Sequence, residues 1–422
     1  MARRRRLKTL PDASRDLIRE LPVEVKDRIL ECLPTRDAAR TALLSRNWNH
    51  VWLQHERLTF DYEFVQSVQK QCQDDDGRTF VNIINSILFS RAGPVRKFTI
   101  QIDTKYDPSP QQSDFDKWCL FLSRNGVEEL NISLYSYQTH QLPFCLLSCR
   151  TIKKLIVEGL FIDLPVNACG IFSNVTSLAF LNVTFGVNGI ASSISTPKLE
   201  KLAFEYCGGI NMFEISPPKL EILSVIGSVV DLRWLTPHLK AIKTLWLCGS
   251  SLEDMDVSQF PTAINLRVLK LYRLRFGYGD QLPVFIQLLQ KFPNLCELQI
   301  MATEDDNELN DEAFEDPNGL LFIQELQMLN TIKIEAFSNQ SVMEMLFMKT
   351  LLSKSPALEK VVIVKSWGSN ASEVVRKIQR KLECFPHASP NAQIVCAGNY
   401  YAGMDEDWMD THGVRFLDFA VW

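Results

Sequence analysis

No stretch of this 422-residue chain approaches the ~18 consecutive apolar residues that a membrane-spanning helix requires. No membrane partner is expected. The first ten residues carry charge with no apolar run behind it, so no secretory signal is read. The sequons at Asn131, Asn174 and Asn182 therefore carry no expectation of glycosylation. Cysteine is sparse, with 11 residues, an odd number and mostly isolated. That excludes a disulfide framework and fits buried free thiols in a reducing compartment. Glycine (18) and proline (19) are too few for a collagenous or low-complexity chain. Positive charge is not in excess: 45 Lys and Arg face 50 Asp and Glu, a formal charge of −5. A protein built to neutralise nucleic-acid phosphate is excluded, and no nucleic-acid partner is expected. The signatures of common catalytic sites are missing as well: no GxSxG, phosphate-binding loop, HExxH or dinucleotide-type glycine cluster. The reading is non-catalytic, with no cofactor.

What is present is ordered apolar patterning, 46% hydrophobic residues in all, in a chain too long for one core. Leu21-Pro22 opens the first block. Proline suits a first helical position, where its missing N–H would be unpaired anyway. Val25, Ile29, Leu30 and Leu33 follow at helical spacing. Leu33-Pro34 ends that helix. Thr35 is expected to cap the next one, with Asp37 in its first turn. Ala39, Ala42, Leu43, Trp48, Val51 and Trp52 supply the apolar positions beyond. About 40 residues rarely bury enough surface to stand alone, so this block should complete its core against a partner.

The segment from Leu21 to Trp52 resembles an F-box of the plant type. Leu21-Pro22, Ile29-Leu30, Leu33-Pro34-Thr35, Asp37-Ala38 and Leu43-Leu44-Ser45-Arg46, with Trp48 and Trp52, carry the resemblance. It implies a small helical module that docks on the Skp-type adaptor of a cullin–RING ubiquitin ligase. The residues expected to form the docking face are Leu21, Pro22, Ile29, Leu30, Leu33, Pro34, Leu43, Leu44, Trp48 and Trp52. The module is placed at 16–60, after a basic tail over 1–15 and before a helical linker over 61–94. Phe80, Ile83, Ile84, Ile87 and Leu88 give that linker its helical spacing.

From Val95 onward the chain repeats itself. The unit, apolar-x-x-apolar-x-apolar, begins at residues 95, 127, 152, 175, 199, 220, 242, 266, 295, 329 and 358. The central intervals fall in the 20–29-residue range of leucine-rich repeats. Alternation puts one face of each short strand into a shared interior. Strands this short are stable only when stacked copies pair edge to edge. The periodicity alone thus predicts a leucine-rich-repeat solenoid over 95–365, a curved parallel sheet. An open sheet of alternating strands and helices is the competing architecture.

Residues 318–396 resemble the FBD region that closes many plant F-box leucine-rich-repeat proteins. Ser355-Pro356, Leu358-Glu359, Val362-Ile363, Phe385-Pro386 and Ala388-Ser389 match, and His387 stands where the family usually has arginine. Physically this region can cap the last repeat, with a helix at Ser372–Leu382 and a strand at Gln393–Val395. The tail, 397–422, matches no known pattern. The fold class is therefore α/β: a helical F-box, then the solenoid, then an α+β cap.

Four smaller features are read conservatively. Asp74-Asp75-Asp76 is read as a solvated loop, since nothing nearby offers convergent ligands, and the acidic run Glu304–Asp316 lacks the sixth-position glycine and spaced terminal glutamate of a calcium loop. Cys145, Cys149, Cys169 and His140 lack a zinc geometry, so no metal is expected. The Arg3-Arg4-Arg5-Arg6 and Lys8 cluster is a solvated tail or a nuclear-import address, and the location expected is nucleus and/or cytoplasm.

Two functions fit. In the first, the chain is the substrate-recognition adaptor of an SCF-type ligase, binding the Skp-type adaptor and through it cullin and RING subunits. It would hold an unidentified protein target near a ubiquitin-loaded enzyme. In the second, it is a binding scaffold with no ligase role. The third, fifth and seventh positions of each repeat should face away from the core, on the concave side. They are polar in the first repeats (Lys97, Thr99, Gln101, Glu129, Asn131, Ser133) and turn apolar midway. Leu181, Ile222, Ile226, Trp246, Val268, Lys270 and Tyr272 are thus the expected target-binding patch, an aromatic surface where water should be.

Overall fold

A computed structural model describes residues 18, 20–69, 78–103, 110–135, 139–164, 170–186, 192–210, 213–228, 236, 239–253, 255–276, 281–303, 323–337, 342–365 and 371–397. The Arg3–Arg6 cluster, Asp74–Asp76, Cys169, the Glu304–Asp316 run and the tail beyond 397 lie outside them. The chain divides into two compact units, Met1–Leu220 and Glu221–Trp422.

In the first unit three short helices come first: α1 (Val23–Glu31), α2 (Thr35–Thr41) and α3 (Arg46–Gln54). Pro22 and Pro34 sit at the cap positions of α1 and α2, one residue before the first helical position expected for proline. Thr35 is the first residue inside α2 and caps nothing. Its hydroxyl instead accepts from the Thr59 backbone N–H at 2.9 Å, tying α2 to the strand that follows. The capping role falls to Ser45, whose side chain accepts from the Trp48 N–H at 3.2 Å and starts α3. Two helices, α4 (Tyr62–Gln69) and α5 (Arg78–Phe89), follow the first strand, and α6 (Gln112–Arg124) the second.

Six parallel strands form the unit's main sheet: β1 (Arg57–Phe60), β2 (Lys97–Asp103), β3 (Glu129–Tyr135), β4 (Lys154–Glu158), β5 (Ser177–Leu181) and β6 (Lys201–Glu205). They pair strictly in register. Phe98, Leu130, Leu155, Leu178 and Leu202 make one row and Ile100, Ile132, Val157, Phe180 and Phe204 the next. All ten are at most 2% exposed. The rings of Phe180 and Phe204 stack at 5.6 Å. Because the strands are parallel and evenly spaced, identical repeat positions superpose, and the core is a set of ladders.

The second unit repeats the pattern with seven parallel strands: β7 (Ile222–Ile226), β8 (Thr244–Cys248), β9 (Val268–Leu274), β10 (Glu297–Ala302), β11 (Thr331–Phe337), β12 (Lys360–Lys365) and β13 (Gln393–Ala397). Helices α7 (Gln281–Leu289) and α8 (Val342–Lys354) meet through Phe285 and Phe347, ring centroids 5.8 Å apart. Helix α9 (Ala371–Glu383) and β13 form the cap expected at the end of the repeats. Ser389 fastens it, its buried hydroxyl donating to the Leu358 carbonyl at 2.6 Å. All eleven repeats thus supply a strand, and their first, fourth and sixth positions are buried throughout.

Six strands end at or near a residue in the left-handed region. Gly159, Asn182 and Tyr206 do so in the first unit, and Gly227, Arg273 and Ala336 in the second. The turn is too close for a side chain at Gly159, where a Cβ would stand 2.4 Å from the Leu134 carbonyl oxygen. Arg273 and Ala336 fall where the strand register slips by a residue.

Candidate functional site

The helical module carries its chemistry as exposed apolar side chains. Leu43 is 87% exposed and Leu44 64%, both in the break between α2 and α3. Pro22 and Pro34 are exposed, and Leu21, Ile29 and Leu33 are half-buried. Leu30, Trp48 and Trp52 are not available to a partner, at 1%, 2% and 5% exposure. They build the module itself, which corrects their expected place on its outer face. Trp48 covers the buried Lys26, whose ammonium lies 5.6 Å from the ring centroid. Trp52 stacks against His55 and carries the Arg91 guanidinium 4.7 Å above it. Arg91 also donates to the His55 carbonyl, so residues beyond the module close its core. Burial lowers the Arg91 pKa to about 10. The expected docking face left out Val25 and Cys32, which join Ile29 and Leu33 in an apolar facet on α1 and its C-terminal end, flanked by Glu24 and Arg28. The i, i+4 spacing of Val25, Ile29 and Leu33 was its signal.

The expected target-binding residues do not form one group. Leu181 belongs to the first unit and is 2% exposed. The other six belong to the second, where in-register pairing brings Ile226, Trp246 and Tyr272 together with Cys248 and Met301. Ile226 is 0% exposed, and Trp246 and Tyr272 are each 7%. Ile222, Val268 and Lys270 are half-buried. The expected wet aromatic surface is thus a packed cluster. Large side chains one strand spacing apart, about 4.8 Å, fill the space above the sheet and shield one another. Lys270 lies within the cluster, its ammonium 3.9 Å from the Trp246 ring centroid.

In the first unit the seventh repeat positions hold a polar group. Ser133, Glu158, Leu181 and Glu205 follow one another across β3 to β6. Glu158 accepts from the Tyr135 hydroxyl, and the Asn182 amide donates to that hydroxyl at 3.3 Å. Both carboxyls are 5% exposed. Burial pushes each up to about 7, opposed at Glu158 by a Ser133 hydrogen bond and reinforced at Glu205 by the charge of Glu158. Cys119 and Cys145 are likewise raised, chiefly by burial, so neither is an activated thiolate. Among the described residues no group of three or more His, Cys, Asp or Glu is placed to hold a metal. No described helix is long and apolar enough to cross a membrane.

Two ladders of parallel strands at leucine-rich-repeat period, preceded by a three-helix module, define an F-box/leucine-rich-repeat protein. The F-box domain model matches residues 18–60. The leucine-rich-repeat domain model described as "At1g61320/AtMIF1, LRR domain" matches residues 87–391, most of the chain, and the chain belongs to that family. It is similar to the F-box/FBD/LRR-repeat protein At1g13570 of Arabidopsis thaliana, 29% identical over 90% of this chain and 98% of that protein. It also resembles F-box/FBD/LRR-repeat protein At5g56420 (28% identical; 50% of this chain, 49% of that one) and F-box/LRR-repeat protein At1g06630 (26%; 52% and 55%), both from Arabidopsis thaliana.

Proposed function

We propose that this chain is the non-catalytic substrate receptor of an SCF-type cullin–RING ubiquitin ligase. Its F-box docks on a Skp-type adaptor, and its repeats hold the protein to be modified. The observation that carries this reading is the Leu43-Leu44 pair. Two adjacent leucines, 87% and 64% exposed in a structured helix–helix break, serve no purpose in the isolated module. Exposed apolar anchors of this kind fit an interface core. Cullin and RING subunits would be joined through the adaptor, in the nucleus and/or cytoplasm. The work of the receptor is proximity: it raises the effective concentration of target lysines near the transferring enzyme.

The test is the double substitution Leu43→Asp with Leu44→Asp. Both side chains are outside the core, so the melting temperature should hold within a degree or two. Capture of the Skp-type adaptor should fall by at least a hundredfold, because a charge in a desolvated contact costs about 3 kcal/mol or more. A folded variant that still binds the adaptor removes the ligase reading and leaves a scaffold built on the repeats.

A further inference from the structure

We propose that the acidic run of the C-terminal tail, Asp405-Glu406-Asp407 with Asp410, docks on the exposed basic face of α9. That helix has two unlike sides. Ile378 and Leu382, one turn apart, are 1% and 0% exposed and form its buried side. Arg376, Lys377, Arg380 and Lys381 are all exposed on the other. Arg376 stands four residues from Arg380, and Lys377 four from Lys381. Like charges at that spacing destabilise a helix unless something of opposite sign lies over them. Lys377 is paired with Glu373 at 3.0 Å, and Glu383 is engaged by the Gln379 amide. Arg376, Arg380 and Lys381 have no acidic partner among the described residues. Arg380 and Lys381 lie in the last turn, where the helix dipole favours cations. Arg376, in the middle of α9, has no such support.

A counter-charge is available in the same chain. Four of the six residues from Asp405 to Asp410 are acidic with no base among them, and Arg415 is the single Lys or Arg of the whole segment 398–422. Strand β13 ends at Ala397, and α9 packs directly against it. The eight residues from Ala397 to Asp405 can extend about 26 Å. The 13 residues of α9 span about 20 Å. The acidic run therefore reaches every cation on the face. Ion pairs between exposed side chains are individually weak. Tethering compensates, because a short linker presents the run at an effective concentration of about a millimolar. An acidic segment of another molecule lacks that advantage, which singles out the tail as the occupant. The face is open, so nothing has to move aside for it. Docked there, the tail straps α9 to the strand from which it emerges.

The test uses the full-length chain, mixed in equal parts with an isotopically heavy copy. A water-soluble carbodiimide, which joins a carboxylate to a lysine in direct contact, is added at low salt. Peptide mass spectrometry should find Lys377 or Lys381 joined to an acid between Asp405 and Asp410, both peptides coming from the same copy. At 1 M salt the screening length falls to about 3 Å, and the yield should drop roughly fivefold or more. Arg376→Glu with Arg380→Glu should lower it as far at low salt, and adding Asp405→Arg with Asp407→Arg should restore it. Both arginines are exposed, so the fold should survive their reversal. Absence of the cross-link in the native chain overturns the proposal and leaves the face to an acidic group of another protein. Cross-links found only between light and heavy copies overturn it in favour of a second copy of this chain. A yield unchanged at 1 M salt, or unchanged in the folded arginine variant, overturns it as well. If the variant does not fold, the salt response of the native chain decides.

Discussion

Glu205→Gln should stabilise the first unit, and by more at alkaline than at acidic pH. The Glu205 carboxyl rises from 4.5 to about 7 on folding. The folded chain therefore binds this proton more tightly than the unfolded chain does. Stability is highest below the unfolded value and falls as pH rises through the window from about 4.5 to 7. A shift of this size corresponds to at most about 3 kcal/mol at pH 8 and less than about 1 kcal/mol at pH 5. Glutamine keeps the shape and removes the charge. It also removes the repulsion that Glu205 and Glu158 exert on each other. The measurement is urea denaturation of wild type and variant at pH 5 and pH 8, with hydrogen exchange followed in peptides covering β5 and β6. Other titrating groups are common to both proteins and cancel in the difference. The expected gain is about 2 kcal/mol larger at pH 8 than at pH 5, with protection increased locally in those strands. An equal gain at both pH values, or a loss at pH 8, would falsify the desolvation argument, since Glu205 would then be hydrated or compensated in the folded chain.

Trp246→Ala with Tyr272→Ala should lower the melting temperature markedly, since truncating a buried aromatic typically costs about 3–5 kcal/mol; an unchanged melt would mean that the cluster is surface after all. Leu202→Ala, at a site 0% exposed, should cost about 2–5 kcal/mol. The loss should spread to neighbouring repeats in hydrogen exchange, and a strictly local effect would count against stacked-repeat coupling. Gly159→Ala should destabilise the β4 exit, because the glycine sits at φ +72° and a Cβ there meets the Leu134 carbonyl at 2.4 Å. Unaltered stability would show that the turn can relax.

The ladders were legible because they follow from local alternation. The first, fourth and sixth positions of every repeat can be picked out without knowing the partner strand, and all became core. The cap was legible for the same reason: α9 and β13 fall within two residues of their expected limits. Strand β1 was not, since Leu58 and Phe60 alone are too short a pattern, and its pairing with β2 is settled only by the fold. Nor was the burial of the outer face. Whether Trp246 is wet depends on which side chains stand beside it in β7, β9 and β10, and single-strand alternation is silent about that. The Glu158–Glu205 pair is legible only once register is known, because 47 positions separate the two residues in sequence. Tyr206, Arg273 and Ala336 carry no local mark of the left-handed turns they adopt. Those conformations are imposed by the stack. In the F-box the motif was legible, but the motif does not separate residues that hold the helices together, such as Trp48, from those left outside, such as Leu43.

Strand β13 is the last in the second unit's described sheet, and it pairs with the Lys-Val-Val-Ile-Val-Lys run of β12. Without β13 and α9 that run would present a bare row of backbone donors and acceptors beside Val361 and Ile363. A short, flat, β-branched edge of this kind is a template for growth by further chains. The cap therefore does more than complete a core. It keeps Val361 and Ile363 paired and covered, and shortened forms that stop after β12 should be lost to aggregation before their binding can be judged.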